Sequence, residues 1–442
     1  MLFDQQAIGS EKTLAKCPYC AGKNFVKFGQ RQKKHELVQM YFCKHCQKKF
    51  TSSITKNKTF PLRLILDSIT FYNRLNSLEE SAQKISAQYG IKISFQNIAN
   101  WLKAFAEYLP FARMRDFIAQ NYDKRSVFVE SKMLHGQVYD FKYHRAKTNL
   151  ILGEDFKNYK FKPLRQFLEL IVAECPHQIF KNSSRRASEY QNVFDLDQVK
   201  ITRRENMAVK NTNFVLQSVA NNKLRHQILQ EFMLVNDSVT IATEVPVLLD
   251  RDDLLHYKNS LNFNVPLDLN DGEAITGHID FIQIRNGAIH ILDYKPSAKK
   301  AKPIEQLTIY ALALARLTSL RLFNFKCAWF DEEDYFEFFP LHVVYKKKRK
   351  KKLQNGTPRK VRSLDLSKIR LMPSRRSWRR FGRCWWSRVD LYKISLLVPL
   401  TSLFTKEGLR GCHKVAPLGL RTVLILLFEG AERAEKKAPL SR

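Results

Sequence analysis

A chain of 442 residues and 51.8 kDa exceeds what one hydrophobic core usually organises, which excludes a one-domain reading and predicts several units. With 44% apolar and 12% aromatic residues it can bury real cores, so wholesale disorder is excluded as well. Its 75 Lys and Arg against 42 Asp and Glu give a net charge of +33, the footprint of a chain that meets a polyanion, and nucleic acid is the expected partner.

The charge sits at the ends. Residues 1–60 carry 12 basic and 3 acidic side chains, and residues 346–442 carry 27 and 6, which leaves the middle nearly neutral. The first 30 residues lack the continuous apolar run of a secretory leader. The apolar runs 394–404 and 423–428 fall short of the roughly 20 residues that span a bilayer. A cytoplasmic protein with no membrane partner is therefore expected. Four cysteines form close pairs while Cys175, Cys327, Cys384 and Cys412 are scattered, which in an unexported chain favours metal ligation over disulfides.

In chain order, Cys17-Pro18-Tyr19-Cys20 and Cys43-Lys44-His45-Cys46 are two CxxC knuckles 22 residues apart, a spacing that lets two tight turns offer four thiolates to a structural Zn²⁺. Strands are predicted over 24–29 and 37–42, so residues 1–60 read as a zinc ribbon with a basic face that includes Lys23, Lys27, Arg31 and Lys48. Residues 61–115 turn helical, with Leu62, Ile65, Leu66, Ile69 and Tyr72 at spacings of three and four. Ser77-Leu78-Glu79-Glu80 starts a second helix as a capping box, Gly90 ends it, and Ser94 caps a third that carries Ile98, Trp101, Leu102 and Phe105. That spacing resembles a helix-turn-helix, in which Phe95, Gln96 and Asn97 would open the recognition helix and reach base edges.

A basic zinc ribbon followed by a helix-turn-helix resembles the front end of insertion-sequence transposases over residues 15–110, and more weakly over 127–132 and 136–139, which look like the first strands of a DDE transposase core. The family places an aspartate where this chain has Val129 or Glu130, and no second and third carboxylate follow in the expected contexts. Two-metal transposition needs three carboxylates, so 116–202 reads as a degenerate linking segment.

Residues 203–345 carry the sharpest chemistry. Strands are predicted over 276–282 and 288–295 with a turn at Gly287, a hairpin that brings Asp280 and Asp293 together to bind Mg²⁺ or Mn²⁺. Lys295 lies two positions on, on the same strand face, toward metal-bound water and the scissile phosphate. Pro303 starts a helix with Gln306 and Tyr310 on one face and Leu307, Ala311 and Leu314 on a buried side. Upstream, Glu244 sits near the end of a strand over 239–245, after a helix that contains His226.

Together these resemble the PD-(D/E)XK nuclease superfamily, in its RecB-like branch, over residues 205–340. The resemblance implies that Asp280 and Asp293 are metal ligands, with the Tyr294 carbonyl a possible further one. It makes Glu244 the acid of the first core strand and His226 the helix histidine that joins the metal site. Lys295 would orient the attacking water or stabilise charge on the transition state, and Gln306 with Tyr310 would match the QxxxY motif that holds the DNA backbone. Ile279 replaces the proline of the motif's name. The scattered cysteines lack the spacing of the iron–sulfur cluster found in some members, and the acidic run 331–334 reads as a solvated turn.

At Lys346 the sequence becomes KKKRKKK and then loses any sustained period, so 346–442 reads as a basic tail, out of frame past about residue 350. The expected fold is a multidomain α+β protein: zinc ribbon, helix-turn-helix and a restriction-endonuclease-like α/β core with a central mixed sheet. The expected cofactors are structural Zn²⁺ and catalytic Mg²⁺ or Mn²⁺. The leading function is metal-dependent DNA hydrolysis; an insertion-sequence transposase or a catalytically inactive DNA-binding protein are the rivals.

Overall fold

The computed structural model describes residues 16–51, 58–182, 185–197, 199–219 and 221–345; the basic tail 346–442 and the frame change read near residue 350 lie outside them. Beside the first cysteine pair, β1 (Phe25–Gln32) and β2 (Leu37–Cys43) form an antiparallel hairpin, and β3 (Lys49–Phe50) adds to β2. Phe25 packs edge-on against Tyr41 at 5.7 Å and Phe50 at 5.5 Å, next to the buried Cys17 and Cys43. So small a core needs a cross-link to hold. Cys17 and Cys46 bring their Sγ atoms to 3.6 Å, as do Cys20 and Cys43, and all four sulfurs lie within 4.8 Å of one another. Four converging thiolates are a donor set that suits tetrahedral Zn²⁺.

Three helices follow where the spacing predicts them: α1 (Leu62–Asn73), α2 (Leu78–Tyr89) and α3 (Phe95–Ala104). The Ser77 hydroxyl accepts from the Glu80 N–H while the Glu80 carboxylate accepts from the Ser77 N–H, both at 3.0 Å, and Gly90 ends α2 at φ 65°. The Ser94 hydroxyl accepts from the Asn97 N–H at 3.3 Å and starts α3, leaving Phe95 and Gln96 exposed and Asn97 partly buried. These helices have no core of their own. Leu66, Ile69 and Trp101 share one cluster with Phe232 and the sheet residues Phe281 and Phe330. Tyr108 stacks on Phe214 at 4.0 Å, and the buried Asn73 donates to Asn236 Oδ1 at 2.7 Å.

Among the described residues the main sheet has nine strands: β4 (Phe128–His135), β5 (Gln137–His144), β6 (Arg185–Arg186), β7 (Thr202–Arg203), β8 (Thr240–Asp250), β9 (Ala274–Arg285), β10 (Ala288–Tyr294), β11 (Phe325–Phe330) and β12 (Tyr335–Phe338). Their order is β4-β5-β8-β9-β10-β11-β12-β7, with β6 added in parallel to β9. The sheet is mixed because the helix Ile304–Thr318 crosses between β10 and β11, which run parallel. That helix packs on one face through Leu307, Ala311 and Leu314, against Ile279, Ile289 and Ile291. The helices Met207–Leu216 and Arg225–Asn236, with α1 to α3, cover the other.

Residues 116–202, read from the sequence as a degenerate linking segment, supply β4, β5 and β6 to this sheet. β5 pairs with β8 at Lys142–Thr243 and Tyr143–Ala242, and the helix Lys162–Glu174 buries Leu164, Phe167, Leu168 and Ile171 in the main core. The physical reason is that Met133, Phe141 and Tyr143 give the β4–β5 hairpin an apolar face, which is buried in the same cluster as Leu164, Phe167 and Ile171 of that helix. Glu130 on β4 points to no acidic partner; it pairs with Arg74 at 2.6 Å and belongs to no three-residue ligand group among the described residues.

The acidic turn after β11 also differs from its expectation as a solvated one. Asp331 and Asp334 are buried, and Asp331 accepts the N–H groups of Ala298, Glu333 and Asp334 at 2.6, 2.8 and 2.7 Å, so its carboxylate builds the turn. Among the described residues no helix is long and apolar enough to cross a membrane.

Candidate active site

The three central strands each deliver one carboxylate. Asn286 (φ 53°) and Gly287 (φ 67°) make the tight turn between β9 and β10, and the resulting register pairs Phe281 with Leu292. One step along, Asp280 faces Asp293, and the Tyr294 N–H donates to Asp280 Oδ2 at 3.1 Å. Glu244 lies on the other side of β9, between the pairs Thr243–Phe281 and Val245–Ile279, well inside β8 rather than near its end. Its backbone is left-handed at φ 51°, a conformation that costs a non-glycine residue about 1 kcal/mol or more. Gln230 holds the redirected side chain, donating to Glu244 Oε1 at 2.7 Å.

The helix Arg225–Asn236 lays His226 over the same point, with Nε2 2.9 Å from Asp280 Oδ2. Ligand atoms of His226, Glu244 and Asp280 lie within 4.8 Å of one another. Asp293 adjoins them as the ion-pair partner of Lys295, whose Nζ is 3.0 Å from Asp293 Oδ2. Despite these short approaches, neither His226 Nε2 nor Asp293 Oδ2 has a hydrogen-bond partner in line, although both are buried. Unsatisfied polar atoms aimed at one point, with three carboxylates, fit a site that receives a divalent cation.

Electrostatics express the same crowding. Burial, then the charge of Asp280, pushes the Asp293 carboxyl well above the usual carboxylate range, and the same two causes lift Glu244 to about 7. Burial also opposes ionisation of Asp280, but the facing His226 outweighs it and holds that carboxyl at about 2. Conversely, burial disfavours the charge on His226, yet Asp280, Glu244 and Asp293 raise it to about 9.

His226, Glu244, Asp280, Lys295, Gln306 and Tyr310 all line one cleft of about 260 Å³. Gln306 donates to the Tyr310 hydroxyl at 2.9 Å, so the two side chains predicted to share a helix face act as one unit. Phe95, Gln96 and Asn97 are not among the lining residues. Sequence reasoning missed Gln230, although it stands four residues after His226 on one helix face, and it missed Gly277.

A Cβ on Gly277 would overlap Tyr310 Cε1 and come within 2.9 Å of the Tyr310 hydroxyl, so the ring reaches the cleft only because β9 has no side chain there. Gly277→Ala is expected to cost about 1–3 kcal/mol and to swing Tyr310 away from Gln306. Thermal unfolding and a structure of the variant check this.

Residues 187–380 match the family model of the PD-(D/E)XK nuclease superfamily. The match takes in β8 to β12 and the crossing helix, and runs further in both directions than the 203–345 expected from the sequence, past residue 350. No curated protein and no solved structure matches the chain.

Proposed function

We propose that the chain hydrolyses DNA phosphodiester bonds in the cleft between β8, β9 and β10, as a metal-dependent nuclease of the RecB-like kind. The observation that carries this reading is the convergence of Glu244, Asp280 and Asp293 from three adjacent strands, with His226 paired to Asp280 and Lys295 paired to Asp293. Asp280, Asp293, Glu244 and His226 are the residues that would hold Mg²⁺ or Mn²⁺. When bound, such an ion polarises the phosphoryl oxygens and lowers the pKa of its water. Lys295 places a positive charge beside that point, and Gln306 with Tyr310 offers hydrogen-bonding groups to the DNA backbone.

The four-cysteine unit and α1 to α3 are read as the DNA-delivery end: a zinc ribbon with a lysine-rich face, and a helix-turn-helix whose Phe95, Gln96 and Asn97 meet base edges. The purified full chain, incubated with labelled single- and double-stranded DNA, should cleave with Mg²⁺ or Mn²⁺ and be silent in chelator. Binding without cleavage under every metal condition would favour the inactive DNA-binding rival. Glu130→Gln should leave cleavage unchanged, because its carboxylate serves Arg74; loss of cleavage in that variant would favour the transposase rival.

A further inference from the structure

A second ligand cluster adjoins the cleft without belonging to the acidic site. β4 ends at His135, and the helix Lys162–Glu174 runs directly into Cys175-Pro176-His177. His135 Nε2 and His177 Nδ1 face each other at 2.8 Å, and ligand atoms of His135, Cys175 and His177 lie within 4.8 Å of one another. His135 and Cys175 are 2% and 1% exposed, while His177 is half-buried, so the cluster is closed on the protein side and open toward solvent.

We propose that His135, Cys175 and His177 hold a Zn²⁺ ion, independently of the four-cysteine unit and of the nuclease reading. Two imidazoles and a thiolate with no carboxylate are a soft set that selects zinc over Mg²⁺ or Ca²⁺. On binding, the Cys175 thiol gives its proton to solvent and the sulfur lone pair forms the metal bond, while both imidazoles bind as neutral donors. The surroundings match an outer shell. His135 Nδ1, the nitrogen left over, lies 2.8 Å from His278 Nε2, and Phe180 stacks on the His135 ring at 4.0 Å, which fixes its orientation.

The fold also gives such an ion a task. The β4–β5 hairpin pairs with β8 at two positions, and an ion shared by His135, Cys175 and His177 would tie its far end to the C-terminal end of the helix Lys162–Glu174. His278 then connects that tie to β9, two residues from Asp280.

Zinc per chain, measured on the full-length protein after reconstitution with excess Zn²⁺ and desalting, tests the assignment. About two equivalents are expected at the two cysteine-containing clusters, one at each, beyond what the acidic cleft retains in wild type and variants alike. Cys175→Val and His177→Asn should each lower the content by about one. Cys43→Ser should remove the other equivalent and unfold residues 16–50, and Cys43→Ser with His177→Asn should hold only what the acidic cleft retains. His177 is half-buried, so its asparagine variant keeps the fold, and circular dichroism verifies this. Wild type holding a single equivalent that Cys43→Ser removes would overturn the proposal, as would unchanged zinc in Cys175→Val and His177→Asn; His135 and His177 would then be no more than a hydrogen-bonded pair.

Discussion

Asp293→Asn is expected to abolish metal-dependent cleavage while leaving the fold intact. The residue is 3% exposed and its side chain keeps its shape as asparagine, so packing against β9 and β11 is preserved. What changes is charge: the cleft loses one of three carboxylates at the point where Asp280 and Asp293 face each other. A loss of roughly a thousandfold in rate follows if several kcal/mol of charge stabilisation depend on the intact set.

Stability should move the other way. Without metal, burial and the Asp280 charge raise the Asp293 carboxyl above its unfolded value, and Glu244 is raised to about 7. A group raised in the folded state contributes stability that is present at low pH and is lost as pH rises through its folded pKa. In chelator, wild type should therefore lose stability as pH rises from about 4 to 7, and Asp293→Asn should lose less and melt at or above the wild-type temperature near neutrality. Added Mn²⁺ should raise the melting temperature of wild type and leave the variant's nearly unchanged. Cleavage at the wild-type rate in Asp293→Asn would remove the acidic cleft from the mechanism.

The sequence made some of this site legible because the relevant spacings are short. Alternating apolar residues on either side of Asn286-Gly287 define a hairpin, and a hairpin's register follows from its turn, so Asp280 opposite Asp293 could be read directly. Gln306 and Tyr310 needed only helical periodicity. Glu244 was readable as an acid on a strand, but its left-handed backbone, which aims it into the cleft, has no signature in residue type.

Long-range pairing was the other blind spot. Nothing local in β5 announces Thr243 and Ala242 as partners, so residues 116–202 read as a separate linker although they extend the same sheet. Likewise His135 and the Cys175-Pro176-His177 stretch look unrelated until β4 and the helix end meet. Asp331 and Asp334 misled for a third reason: an acidic run resembles a solvated loop, and only the N–H groups of Ala298, Glu333 and Asp334 on Asp331, with Arg203 and Lys299 on Asp334, reveal carboxylates folded inward.

Lys295→Ala should lower the rate roughly a hundredfold or more, the usual scale for one missing electrostatic stabiliser of a transition state. Burial disfavours its charge, but Asp293 and then Asp280 outweigh that and raise the ammonium above its ordinary value. Lys295 therefore stays protonated at neutral pH, which suits it to orient water or steady phosphoryl charge and disqualifies it as the base that removes a proton from water. Two consequences separate these roles. The loss should fall on kcat with KM for DNA little changed, because the Lys295 charge is worth most when phosphoryl charge builds in the transition state. The remaining activity should also keep the wild-type dependence on pH, whereas loss of a general base would erase one limb of the profile. Metal binding, followed by the rise in melting temperature with Mn²⁺, should survive, since Glu244, Asp280, Asp293 and His226 remain. A variant that binds Mn²⁺ no longer, or that cleaves at the wild-type rate, would place Lys295 in the scaffold of the acidic cluster: its 3.0 Å contact with Asp293 would then serve only to offset buried charge.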